Sequence, residues 1–298
     1  MSAPVHITLM ISALLLGTAL NTDAGVFAKA EENVKIALAR PPTSRPMSIA
    51  YIPDYKRYYI ADGGFGTLTD DTGRLAPSKS EVHAYSEKGE YLQSARPGLD
   101  SRSLYFNRNT SQLESITFNA SSFAGFAPNC GIFGIKLNEQ GELLAETREI
   151  LNPNPAFGDA STGPSYDPAG NRYLAKQARS DKVWVIKTDS REKVAEIALD
   201  LAAAGVQIDE ISHYFAAWTG IAGEELAVLD IDRKAVLVFD EQGRFAGRSQ
   251  LPADIKLRSQ NHYNGSGYAN GLFFVYSETE GQFGTLRSFR ISDQAAVQ

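Results

Sequence analysis

The sequence predicts an all-β protein that folds as a β-propeller of four-stranded antiparallel blades. Short apolar runs rich in Val, Ile, Tyr and Phe alternate with Gly, Asn, Asp or Pro, which is typical of strands and hairpins. Groups of four such runs recur at intervals of about 50 residues, close to the spacing of propeller blades. The composition, with 43% hydrophobic and 21% charged residues, is that of a globular chain with a buried core.

Two recurring features mark the repeat. A polar hairpin turn closes on a glycine, which adopts a positive φ without steric cost. Its three copies contain Gly89, Gly141 and Gly243. Upstream of the turns a tyrosine recurs in the predicted first strand of each unit, at Tyr51, Tyr105, Tyr166, Tyr214 and Tyr263. We interpret these tyrosines as packing residues that fill the same gap in every blade.

The last unit lacks its outermost strand. Its strands are predicted at 272–276 and 286–291, which leaves 298 − 291 = 7 residues at the end of the chain. Residues 34–40 precede the first unit and have the pattern of an outer strand. We expect this N-terminal strand to complete the last blade, because closure of the ring removes an exposed sheet edge. Five blades are predicted, with six as the alternative.

The first unit resembles the NHL-type propeller repeat. The residues that carry the resemblance are 48–62 and 82–89, and 166–173 has the same order of strand, turn and strand. The resemblance covers most of residues 45–295. Propellers of this broad kind include binding platforms, gluconolactonase-type (SMP-30-like) lactone hydrolases and lyases, often with a divalent metal in the central channel. The resemblance implies the fold and leaves the cofactor of this chain unknown, with one divalent metal in the channel as the hypothesis.

The N-terminal segment predicts export. Residues 7–20 form a nearly uncharged apolar run that is too short to span a membrane. We interpret residues 1–30 as a signal peptide and 31–298 as one propeller domain, with cleavage after Ala24 as the alternative to cleavage after Ala30. An uncleaved anchor is a further alternative, since no Lys or Arg precedes the run. The mature chain, which has no second long apolar run, is expected in a periplasm or outside the cell.

Charge and motifs exclude several classes of protein. There are 29 Lys and Arg against 35 Asp and Glu, a net charge of −6, so no overall positive field attracts nucleic acid. The single cysteine, Cys130, cannot form an internal disulfide. The sequence also contains no nucleotide-binding motif and no Gly-x-Ser-x-Gly nucleophile motif.

The placement of histidine predicts a site in the central channel. His213 and His262 each immediately precede a tyrosine of the recurring column, so the pattern puts them at equivalent positions in neighbouring blades. Both imidazoles could then reach one metal ion or one substrate, which makes them candidate metal ligands and candidate catalytic residues. The alternative is that both form hydrogen bonds between blades.

We expect the ligand at one particular mouth of the channel. The loops that enter the inner strands and the loops between second and third strands form this end, named here the top face. Asp62, Arg102 and Asn261 are its candidate binding residues, and Arg102 is suited to an anionic group. The predicted function is binding of a small molecule or a protein partner. The alternative is a metal-dependent, lactonase-like hydrolase or lyase acting in the channel.

Overall fold

The structure is a computed structural model and describes residues 25–40, 46–62, 81–97, 101–117, 130–154, 164–190, 192–257, 265–278 and 283–294. The strands are β1 Val26–Ala37, β2 Pro46–Ile52, β3 Arg57–Asp62, β4 Glu81–Ser86, β5 Tyr91–Ala95, β6 Ser101–Asn107, β7 Gln112–Thr117, β8 Cys130–Leu137, β9 Leu143–Asn154, β10 Ser165–Asp167, β11 Arg172–Lys176, β12 Lys182–Lys187, β13 Lys193–Ala198, β14 Ala217–Trp218, β15 Leu226–Asp230, β16 Ala235–Phe239, β17 Phe245–Gln250, β18 Ser266–Ala269, β19 Leu272–Ser277 and β20 Thr285–Ser292. The helical elements are α1 Leu201–Ala204 and the 3₁₀ turns Pro53–Tyr55 and Ile208–Glu210.

The strands form antiparallel units of four. Three separate sheets have the orders β2-β3-β4-β5, β6-β7-β8-β9 and β10-β11-β12-β13. An eight-stranded sheet joins β14-β15-β16-β17 to β1-β20-β19-β18. The described residues thus make five units, named units 1 to 5 in the order of their inner strands β2, β6, β10, β14 and β18. Unit 5 consists of β18, β19, β20 and β1. The all-β propeller of four-stranded blades is confirmed, and the total blade number stays a prediction.

The predicted N-terminal closing strand is confirmed and is longer than expected. β1 pairs antiparallel with β20 from Val26 opposite Ser292 to Ala37 opposite Thr285, so it is the outer strand of unit 5. It also meets β17 of unit 4 in a parallel bridge, where Lys29 lies opposite Gln250. The strand therefore begins eight residues before the predicted start at 34, since 34 − 26 = 8.

The core lies between neighbouring units. Five apolar clusters are present, and each joins one pair of adjacent units around the ring. The cluster between units 5 and 1 contains Ile36 of β1, Tyr58 of β3 and Phe274 of β19, each 1% exposed or less. Because each sheet buries its faces only against its neighbours, the ring is stable only when the interface between the last and the first unit is also made.

The glycine-closed hairpin turns are confirmed, and the tyrosine column is corrected. Gly89, Gly141 and Gly243 have φ values of 85°, 74° and 83°. Tyr51 and Tyr166 occupy matching positions. Each lies one residue before the last residue of its inner strand that pairs across the hairpin with the second strand. Tyr105 lies two residues before the last residue of its inner strand that pairs with the second strand. Because side chains alternate along a strand, the Tyr105 side chain points to the other face of its sheet than Tyr51 and Tyr166 do.

The other two predicted column positions do not contribute to an inner strand of the described residues. Tyr214 precedes β14, and Tyr263 lies outside the described residues. The aromatic residues packed at the five interfaces near the hairpin end of the inner strands are instead Tyr51, Phe106, Tyr166, Trp218 and Tyr268, named here the channel aromatics. The repeat is therefore an aromatic residue at this end of every interface rather than one tyrosine per blade.

Candidate functional site

The inner strands surround a cavity of about 650 Å³ at one end of the central channel. All five channel aromatics line it, so every unit contributes at least one aromatic side chain, and Tyr105 of unit 2 adds a second. Its rim consists of the hairpins between first and second strands, which makes this end the opposite of the top face. We name it the bottom face. A volume of this size is within the range of about 300–1,000 Å³ that is usual for small-molecule sites.

A network of hydroxyl groups holds one wall of this cavity. Tyr105 and Tyr166 stack with ring centroids 4.8 Å apart. The Tyr105 hydroxyl donates to the buried carboxylate of Glu114 at 2.7 Å and lies 2.8 Å from the Tyr173 hydroxyl. Asn107 donates to both oxygens of the same carboxylate, at 3.1 and 3.2 Å. The carboxylate of Glu114 is thus saturated with donors, and the wall is rigid rather than adaptable.

The rim of the cavity supplies polar groups. Arg108 and Asn270 are exposed at the hairpins of units 2 and 5, and Asn270 donates to the Tyr58 hydroxyl at 3.1 Å. Arg290 lies on the same rim, paired with Glu31 and 5.1 Å from the ring of Phe27. The site therefore combines apolar ring faces inside with hydrogen-bond donors at the edge, which is the usual arrangement for binding an amphipathic small molecule.

A second, smaller pocket of about 50 Å³ lies deeper between the inner strands. Serines at equivalent positions of units 1 and 2 bridge to the next unit there. The Ser48 hydroxyl accepts from the Leu104 backbone N–H at 2.6 Å, and the Ser103 hydroxyl donates to the Pro164 carbonyl. These contacts fix the inner strands relative to one another and keep the channel geometry independent of the loops.

At the top face, His213 lies in the segment that enters β14. This segment is held by a bridge between Ile211 and Asp230 and by a bond from Ile231 N–H to the Glu210 carbonyl at 2.9 Å. The His213 ring is buried, and its Nε2 lies 3.7 Å from the carboxylate of the exposed Asp209. An imidazole and a carboxylate are thus adjacent at the predicted mouth.

A buried lysine lies beside His213. Lys176, at the end of β11, is 0% exposed, and its Nζ donates to the carbonyls of Ser180 at 2.9 Å and His213 at 3.0 Å. Burial lowers the pKa of Lys176 to about 7, against a smaller opposing effect of Asp181. Sequence reasoning missed this residue, because an isolated lysine at the end of a strand has no recognisable pattern.

The other predicted site residues are placed only in part. Asp62, at the end of β3, is buried, and its Oδ2 lies 3.7 Å from His83 Nε2, within its own unit. Arg102 lies on β6, but its side chain is outside the described residues, as are Asn261 and His262 altogether. The pairing of His213 with His262 and the binding roles of Asp62, Arg102 and Asn261 stay predictions.

The metal predicted in the channel needs several ligands close together. Among the described residues no group of three or more His, Cys, Asp and Glu side chains is arranged to hold a metal ion. His213 and Asp209 provide one nitrogen and one oxygen donor, and a further ligand would have to come from outside the described ranges. A metal held by His213 and His262 therefore also stays a prediction. In the part of the chain that the structure describes, no helix is long and apolar enough to cross a membrane.

The closed arrangement of four-stranded antiparallel units around a central channel defines the class of protein as a β-propeller. No protein-family model matches the chain. None of the curated proteins matches it either.

Several solved structures have a similar fold. A glutaminyl cyclase from Myxococcus xanthus superposes with a TM-score of 0.51 at 10% identity, over 90% of this chain and 98% of that chain. A periplasmic gluconolactonase from Pseudomonas aeruginosa gives 0.40 at 12% identity, over 84% and 86% of the two chains. A β-propeller domain from Myceliophteria thermophila gives 0.36 at 13% identity, over 88% and 100%. The four-stranded sheets, together with the superposition on the glutaminyl cyclase, confirm the predicted resemblance at the level of the β-propeller fold.

Proposed function

We propose that this protein is exported and binds a small molecule at a mouth of its central channel. The observation that carries the proposal is the cavity of about 650 Å³ that the five channel aromatics line at the bottom face. Tryptophan and tyrosine rings present flat apolar surfaces with a polar group at one edge, and they suit ligands with a ring-shaped apolar face. Arg108 and Asn270 at the rim suit ligands that also carry hydrogen-bond acceptors.

The two tryptophans of the chain make a direct test available. Trp218 lines the cavity, whereas Trp184 lies on β12 with Lys193 4.5 Å from its ring. A Trp184→Phe chain therefore retains one tryptophan, which reports on the cavity. We expect saturable quenching of its fluorescence by at least one of three probes: glucose, phenyl β-glucoside or benzoate. Tyr268→Ala in this background should weaken that binding at least about tenfold, because it removes one aromatic wall.

Tyr91→Ala is the matched control, since Tyr91 is 40% exposed on the outer strand β5. It should leave the affinity for the same probe unchanged. Absence of a saturable response to all three probes up to about 10 mM would count against the bottom face as the ligand site. Equal loss of affinity in the Tyr91 and Tyr268 variants would point to a general effect on folding.

The second candidate is a metal-dependent hydrolase or lyase acting at the top face. The observation that favours it is the cluster of His213, Asp209 and Lys176, because buried groups with shifted pKa values occur preferentially at functional sites. In this proposal His213 and His262 hold a divalent metal, which would polarise an ester or lactone carbonyl. Arg102 would orient an anionic group of the substrate.

Metal analysis of the purified chain tests this candidate. We expect about one divalent metal per chain, and at least about a tenfold loss of metal affinity in His213→Ala and in His262→Ala, because each removes one ligand. Both variants should keep secondary structure by circular dichroism. If no stoichiometric metal is present and both variants melt as the unchanged chain does, the candidate is wrong. Loss of stability without any metal would show instead that the histidines hold neighbouring blades together.

A further inference from the structure

A buried carboxyl group at the bottom face has an oxygen atom without a hydrogen-bond partner. Glu224 lies in the turn between β14 and β15 and is 1% exposed. Its Oε1 accepts from the Gln294 side chain at 3.3 Å, whereas its Oε2 has no partner among the described residues. A buried carboxylate oxygen without a donor is costly, so this position calls for a further donor.

The charges around Glu224 favour a cation as the further donor. Burial raises the pKa of Glu224, and the nearby carboxylates of Asp293 and Glu225 raise it further. The Ser292 hydroxyl and the Gly25 backbone N–H lie close enough to lower that pKa in part. Both of these groups are neutral, so neither compensates a negative charge on Glu224.

The donor that is best placed to become charged is the Gly25 nitrogen. The Asp293 N–H donates to the Gly25 carbonyl at 3.1 Å, which fixes Gly25 at this position. A Cβ on Gly25 would lie 1.8 Å from Oδ1 of Asp293, so the backbone of Gly25 lies directly against that carboxylate. Glycine permits this close approach. The Gly25 backbone is therefore next to two carboxyl groups, one of them buried.

Residues 22–24, Thr-Asp-Ala, have the small-x-small pattern of an export peptidase site and end immediately before Gly25. We propose that an export peptidase cleaves the bond between Ala24 and Gly25, and that the new amino group binds Glu224 and Asp293. Hydrolysis adds one water across the peptide bond: Ala24 leaves as a carboxylate, and the Gly25 nitrogen becomes an ammonium group near neutral pH. The neutral amide N–H beside Glu224 is thereby replaced by a cation with three donors.

Packing of β1 disfavours the other cleavage position. Cleavage after Ala30 would remove Val26. The Val26 side chain packs so closely against Gly247 that a Cβ added to Gly247 would lie 2.8 Å from the Cβ of Val26. It would also remove Phe27, which packs against Arg290 of β20. Cleavage after Ala24 leaves all of β1 in the mature chain. The inference requires export, but it does not require the proposed binding of a small molecule.

The first experiment determines where the exported chain begins. The full sequence is expressed in a bacterium that exports it, and the mass and N-terminal peptide of the purified product are measured. We expect a product that begins at Gly25. A product that begins at Glu31, or one that retains residues 1–24, overturns the proposal.

The second experiment tests capture of the amino group independently of processing. Two chains that both begin at Gly25 are prepared, one with a free amino group and one in which that amino group is acetylated. The free chain is expected to melt at least about 3 °C higher, because only its ammonium group compensates the buried charge. Glu224→Gln should abolish this difference, whereas Glu139→Gln, which changes an exposed glutamate, should preserve it. Equal melting of the two chains, or a difference that survives in Glu224→Gln, overturns capture.

Discussion

A chain that lacks residues 25–37 is expected to lose at least about 5 kcal/mol of its free energy of unfolding, which is about a third or more of the stability of an ordinary domain. The deletion removes β1, the outer strand of unit 5 and its connection to unit 4. It removes Ile36 from the interface between units 5 and 1 and breaks the reciprocal bonds between Val34 and Ser288, at 2.8 and 2.9 Å. Arg287 also loses its partner Glu32.

Chemical denaturation of the shortened and the intact chain measures this loss. A synthetic peptide of residues 25–37, added in excess, should restore cooperative unfolding, since the strand binds by hydrogen bonds and packing that need no covalent link. If the shortened chain is as stable as the chain that begins at Gly25, closure by β1 contributes nothing and the prediction is wrong.

Two neighbouring residues of β1 provide a matched pair of variants. Ile36 is 0% exposed in the core, whereas the side chain of Lys35 is 57% exposed. Ile36→Ala should cost about 3 kcal/mol of the free energy of unfolding, through lost burial and the cavity that remains. Lys35→Ala should change it by no more than about 0.5 kcal/mol. Similar losses in both variants would indicate that β1 lies in a different register.

Lys176 is expected to make the stability depend on pH. Its pKa is about 7 in the folded chain, against 10.5 as the ordinary value. At pH values between these two pKa values, Lys176 is protonated in the unfolded chain and neutral in the folded chain. The free energy of unfolding therefore increases with pH in this range. The increase should be about 3 kcal/mol between pH 7 and about pH 9.5. It should disappear in Lys176→Met, which has no titrating group.

The pH range is limited by the tyrosines. Burial raises the pKa of Tyr59 and of Tyr268 to about 12, so above about pH 10 the unfolded chain loses their protons first and stability decreases. Measurements of the free energy of unfolding below that pH isolate the effect of Lys176. Lys187→Met is the matched control, because Lys187 is an exposed lysine on the adjacent strand β12 and its removal should leave the slope unchanged. A slope that survives in Lys176→Met contradicts the assignment.

Much of the fold was predictable because strands and turns leave local patterns. The recurring hairpins around Gly89, Gly141 and Gly243 are visible in the sequence, since each needs a residue that tolerates a positive φ. The N-terminal outer strand was also predictable, because a ring with a missing strand must obtain one from the other end of the chain. Its first residue, Val26, was not, because the boundary of an exposed strand depends on the partner β20.

The cavity was not predictable from the repeat. Tyr105 belongs to the apparent tyrosine column, yet Phe106 occupies the position equivalent to Tyr51, and a shift of one residue moves a side chain to the other face of a strand. Trp218 and Tyr268 lie next to hairpins whose lengths differ from those of the other units, so spacing along the chain does not identify them.

The sequence by itself thus determined the class of secondary structure, the four-stranded repeat and the source of the closing strand, because these follow from periodicity and turn chemistry within short segments. Only the tertiary structure decided which side chains surround the channel, that Lys176 lies buried beside His213, and that Gly25 lies against Asp293. These are contacts between residues distant in sequence. They depend on the register of each strand and on how each sheet packs against its neighbours, and no local pattern encodes either.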